Sequence, residues 1–168
     1  MVGVEVLKGF ELFKGLAENK LTEIAELCHP YPMREGDRIF AEATKARDVH
    51  LCRSGKVDIL IWMGQPWNRN IAVHRAGVGE VFGWSALVAP YIYTASAECV
   101  ESGEEIRIKG SEMLNLFGQN PTLGYTIMEN LSANISLRLT QTRQRLVTEW
   151  LGSSWPASSS AWGEAGKR

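Results

Sequence analysis

The sequence predicts an α+β fold in which short N-terminal helices lead into an antiparallel barrel, sandwich or roll of short strands, closed by a long C-terminal helix. Three observations carry that prediction. Apolar residues recur at three- and four-residue steps from Val4 to Leu27, which is helical periodicity. From Tyr31 to Lys109 short β-branched or aromatic runs alternate with Gly, Pro and Asp turn residues at roughly ten-residue spacing. After Lys109 helical spacing returns and is then sustained to about Trp150.

In the first region Gly15 separates two short helices, and His29-Pro30-Tyr31-Pro32 stops the second, because a proline disfavours helix in the residue before it. Strands are expected around Arg38-Phe40, Val49-Arg53, Lys56-Trp62, Asn70-Arg75, Thr94-Val100 and Glu105-Ile108. Ser54-Gly55 and Ser102-Gly103 are expected as hairpin turns, glycine supplying the positive φ that such turns need. Ser111-Phe117 forms a first C-terminal helix. The long one starts at Asn120 as N-cap with Pro121 in first position, where the missing N–H is no loss.

That long helix carries a narrow apolar stripe, Ile127, Leu131, Ile135 and Leu139, continuing through Thr142 to Leu146. A narrow seam on so long a helix is buried against its own roll at one end and a partner helix at the other, which predicts a homodimer. Residues 152–168 are rich in Ser, Gly and Ala without a period, and a disordered tail is expected there. The expected division is therefore helices over 1–30, strands over 31–109, C-terminal helices over 110–151 and tail over 152–168.

A hydrophobic fraction of 45% over 168 residues suits one core. The formal charge of -1 gives no overall attraction to nucleic acid or an anionic membrane. Cys28, Cys52 and Cys99 are odd in number and unclustered, which fits a reducing cytoplasm. No window approaches the ~18 apolar residues of a membrane span, and no signal-peptide pattern opens the chain.

Gly36-Asp37, Ile39-Phe40 and Glu42 resemble the entry turn of the cyclic-nucleotide-binding domain family, and Ser54-Gly55-Lys56-Val57 resembles its next hairpin. The stretch Gly79, Glu80, Val81, Phe82, Gly83, Trp84, Ser85, Ala86 and Leu87, followed by Tyr93 and Thr94-Ala95-Ser96-Ala97, resembles its phosphate-binding cassette. The resemblance runs from about Phe10 to Leu146. It implies a catabolite-activator-like antiparallel β-roll, akin to a double-stranded β-helix or jelly roll, and a regulatory ligand sensor rather than an enzyme. Gly83 would let the chain turn into a short helix starting near Trp84, whose backbone N–H groups face an anion, with Pro90 ending it.

Relatives that bind cyclic nucleotides use a glutamate after the Phe-Gly pair for the ribose hydroxyl and an arginine opening the next strand for the phosphate. Here those positions fall on Trp84 and Tyr93, and no Lys or Arg occurs between Arg75 and Arg107. The amides of Gly83, Ser85 and Ala86, the hydroxyls of Ser85, Tyr93, Thr94 and Ser96, and the rings of Trp84 and Tyr91 remain. They admit a cyclic nucleotide held weakly or another small planar ligand, or, with Trp84 as a plug, none. A degenerate dimerisation or docking scaffold of the same fold is the alternative.

No catalytic set emerges: there is no nucleophile–base pair, no G-x-S-x-G elbow and no dinucleotide loop. His29, His50 and His74 lack metal-ligand spacing, and are expected on the surface or hydrogen-bonded. His50 and Cys52 share a strand face that could serve a haem, against the simpler expectation of a packed cysteine. Glu98, Glu101, Glu104 and Glu105 are expected along a solvated edge. The few residues after Leu151 do not suggest a winged helix, so direct DNA binding is not expected.

Overall fold

The computed structural model describes residues 2–154. Contacts divide the chain into two compact units, Met1–Ala133 and Asn134–Arg168.

In the first unit, α1 (Val4–Leu7), a 3-10 turn (Glu11–Phe13) and α2 (Glu18–Glu26) bury Leu7, Phe10, Leu12, Phe13, Leu21 and Ile24. Six strands follow: β1 (His29–Met33), β2 (Arg38–Phe40), β3 (Asp48–Met63), β4 (Arg69–Ala76), β5 (Val81–Phe82) and β6 (Ser96–Lys109). They form one antiparallel sheet in the order β1-β6-β3-β4, with β2 also on β6 and β5 also on β3. Then come α3 (Gly110–Gln119) and α4 (Pro121–Ser154). Asn120 caps α4 as its sequence signal predicts, its side-chain oxygen accepting from the Leu123 N–H at 3.3 Å.

The α+β roll predicted from sequence is present, with three corrections. Neither Ser54-Gly55 nor Ser102-Gly103 is a hairpin turn. Each lies within a long strand, β3 or β6, at the place where their mutual register shifts between Cys52 and Val57. A Cβ on Gly55 would meet the Glu101 carbonyl oxygen at 2.3 Å, and one on Gly103 would meet the Ser54 carbonyl oxygen at 2.2 Å. The two backbones cross too closely there for any side chain, and both strands bend together. The bend divides one ladder into two stretches, which is how two strands serve a roll that seemed to need four.

The second correction is β1, which its prolines conceal. Pro30 and Pro32 stand two apart, so their missing N–H groups share one side, the open side of an edge strand. The third is the acidic run. Strand β6 is central rather than an edge, and its carboxylates meet cations across the sheet: Glu98 with Arg38, Glu101 with Lys56, Glu104 with Arg53. Glu105 is wholly buried.

Met33, Cys52, Val57, Ala76, Phe82, Ala97 and Cys99 form a buried core inside the roll, with Ile39, Phe40 and Ile59 against it. Leu123, Ile127 and Leu131, at four-residue steps on α4, are also buried, and Asn130 donates to the carbonyls of Leu12 and Lys14. This part of α4 belongs to the first unit's core. In the second unit the described residues continue the helix to Ser154, three residues past the expected end at Leu151. Ile135 is half-buried while Leu139 and Leu146 are 48% and 60% exposed. The tail expected from 152 lies outside the described residues from 155 onward.

Candidate functional site

The cassette is built on β5, which pairs with β3 through Phe82 opposite His50 and Val81 opposite Leu51. Gly83 then takes a left-handed conformation, φ 68° and ψ 22°, and turns the chain into a 3-10 helix, Trp84–Leu87. That helix ends at Leu87, before Pro90, because Val88 is already extended. Residues 91–93 run back along the loop before β3. The Ala43 N–H donates to the Tyr93 carbonyl, Tyr93 N–H to Thr44, and Ala46 N–H to Tyr91, each within 2.9 Å.

These bonds place Tyr93, at the position where the family resemblance puts an arginine, inside the roll at 5% exposure. Its ring stacks on Phe40 with centroids 3.8 Å apart and planes 10° from parallel. A Cβ on Gly83 would lie 2.7 Å from the His50 ring, 3.1 Å from Phe40 and 3.3 Å from Tyr93. The atoms nearest the cassette glycine therefore belong to three rings and to no lysine or arginine.

Polar groups beside those rings form a continuous chain, buried from Tyr93 through His50 to Glu105. The Tyr93 hydroxyl donates to the Asp48 carbonyl at 2.9 Å and lies 3.2 Å from His50 Nε2. His50 Nδ1 is 2.8 Å from Glu105 Oε2, and Arg107 Nε donates to Glu105 Oε1 at 2.7 Å. Arg107 in turn covers the Tyr31 ring at 4.2 Å. Burial alone would raise the Glu105 carboxyl, but the His50 hydrogen bond and the charges of His50 and Arg107 outweigh it and hold it below its ordinary value. Burial pushes the Tyr93 phenol up, so it stays protonated and available as a donor.

The predicted cassette residues separate into groups. Val81, Phe82 and Ala86 are buried, and the Ala86 N–H is spent on the Gly83 carbonyl, so it does not face an anion. Gly79 N–H is likewise used on Cys52. The Glu80 carboxylate closes its own turn, accepting from the Gly77 N–H at 2.8 Å and meeting His74 Nε2 at 3.1 Å. The Ser96 hydroxyl accepts from the Glu42 N–H. Trp84 and Ser85 are half-buried and Thr94 is exposed, which leaves them, with the Gly83 backbone, as the reachable part of the cassette.

The sequence did not disclose His50, Glu105 and Arg107 as one network. Cys52 packs in the core with its thiol donating to the Ser54 and Gly55 carbonyls, and burial raises it to about 11; Cys28 rises to about 12 for the same reason. Neither thiol is a ready thiolate ligand. Among the described residues no helix is long and apolar enough to cross a membrane.

Neither models of known protein families nor curated protein sequences match this sequence. Solved structures do match its fold. A Geobacter metallireducens GS-15 protein described as cyclic nucleotide-binding is 27% identical over 83% of this chain and 99% of its own, with a TM-score of 0.73. A cyclic nucleotide-binding domain from Methylobacillus flagellatus KT is 15% identical over 90% of this chain and 84% of its own, with a TM-score of 0.74. The Thermus thermophilus catabolite activator protein is 25% identical over 82% of this chain and 62% of its own, with a TM-score of 0.67. The chain has the catabolite-activator-like β-roll of cyclic nucleotide-binding domain proteins.

Proposed function

We propose that this chain is a regulatory ligand-sensing domain whose recognition of cyclic nucleotides is weakened or replaced. The single observation that supports this is Tyr93: the side chain at the arginine's position is neutral, stacked on Phe40 and committed to Asp48 and His50. A charge-assisted hydrogen bond to a phosphate contributes about 1.5–3 kcal/mol, so its loss weakens binding by one to two decades. The reachable groups, Trp84, Ser85 and Thr94, suit a small planar ligand of low charge at the cassette.

In this reading residues 31–109 hold the ligand and residues 110–151 carry the output. The chain acts as a homodimer through the stripe of half-buried Ile135 and exposed Leu139 and Leu146. Ile127 and Leu131, which continue that stripe in sequence, are already buried in the first unit and are not offered to a partner. A thermal-shift screen of nucleotides and small metabolites tests the sensing role: a saturable rise in melting temperature is expected for at least one planar ligand. No stabilisation by any of them at millimolar concentration favours a ligand-free docking scaffold instead.

A further inference from the structure

A cleft of about 790 Å³ is lined by residues of β1, the loop before β3, the end of β6 and the start of α3, together with Ala86 and Tyr91. We propose that it binds a small phosphorylated ligand, at a site that shares only Ala86 and Tyr91 with the cassette. Four Lys or Arg side chains line it, Lys45, Arg47, Arg107 and Lys109, against one acidic side chain, Asp48. In a chain of net charge -1 that is a local excess of positive charge.

The four cations are not equivalent. Arg107 is held by the buried Glu105 and Lys109 pairs with Glu112, so both are positioned and partly neutralised. Lys45 and Arg47 are exposed and have no ion-pair partner among the described residues, which leaves their charge for an incoming anion. Arginine's planar fork suits two phosphate oxygens at once, and lysine supplies a point charge beside it. Lys45 is fixed near the cleft by its bridge to Ile92, next to the exposed ring of Tyr91. Ser111 and Asn115 on α3 add neutral polar groups to the lining. The cleft thus combines unspent cations, neutral polar groups and a free aromatic face, the set a phosphorylated ring compound needs.

The test is titration of the isotope-labelled full chain with ATP and, separately, with inorganic tripolyphosphate, followed by backbone amide shifts. Saturable shifts at Lys45, Arg47, Tyr91 and Ser111 are expected, with affinity at least about tenfold weaker in a Lys45→Glu/Arg47→Glu variant. Both side chains are exposed, and an unchanged spectrum elsewhere verifies that the variant folds. Tighter binding of ATP than of tripolyphosphate assigns the ring to the Tyr91 side, whereas equal binding assigns the site to phosphate alone. Shifts confined to residues 83–85, or no saturable shift with either probe by about 10 mM, overturn the proposal.

Discussion

The interior beside Gly83 and the cleft outside it are joined by one buried carboxylate, yet they are opposite in character. Inside, Phe40, Phe82, His50 and Tyr93 stack around the cassette glycine without a lysine or arginine. Outside, Arg107 leads a cluster of cations. Glu105 is the hinge of this contrast, since it binds His50 with one oxygen and Arg107 with the other. The rings crowd the space beside Gly83, while the lysine and arginine side chains line the cleft, although His50 and Arg107 stand opposite each other on β3 and β6.

The strongest way to break that contrast is at Glu105. Glu105→Ala leaves His50 without its buried acceptor and Arg107 without its counter-ion, and removing one partner of such a pair costs about 3–5 kcal/mol. A large drop in chemical-denaturation stability is expected, and a loss under ~1 kcal/mol would mean the network is incidental. Its pH dependence has a definite sign. A carboxyl held below its ordinary value in the folded state contributes stability that is complete above the unfolded value near 4.5 and is lost as pH falls through the folded one. Glu105→Gln flattens the acid limb of the stability profile; an unchanged limb contradicts that assignment.

Next in size is the contrast along α4. Leu131→Glu places a charge where a side chain is 1% exposed and is expected to destabilise the fold by several kcal/mol, about 2–5 from lost burial alone. Leu139→Glu with Leu146→Glu is expected to leave the melting temperature of the roll in place and to halve the mass seen by sedimentation. A double variant that remains dimeric removes the seam from the proposal. Smaller still is Gly55→Ala, where a positive φ of 82° and contact with the Glu101 carbonyl together cost about 1–3 kcal/mol, measurable by urea melts. A Gly55→Ala variant as stable as the parent would mean that the strands do not cross closely there.

What could be foreseen follows from the range of the forces involved. The helical ends, the Asn120 cap and the left-handed Gly83 are local, and local residue chemistry disclosed them. Gly55 and Gly103 were legible as special conformations but not as a bend, because the same glycine chemistry serves a turn and a close crossing. Only the pairing of β3 with β6, some fifty residues apart, decides between them. Tyr93 was legible as a departure from the cassette pattern. Glu105 was not, since among four acids in one run nothing local marks the one that lies across from Cys52 and reaches His50.

The most direct test is calorimetric titration of cyclic AMP into the unmodified chain and into a folded Tyr93→Arg variant. The replaced arginine predicts millimolar or weaker binding by the parent and at least about tenfold tighter binding by the variant. Micromolar binding by the parent, or no gain on restoring the arginine, would contradict the claim that Tyr93 is what sets recognition here.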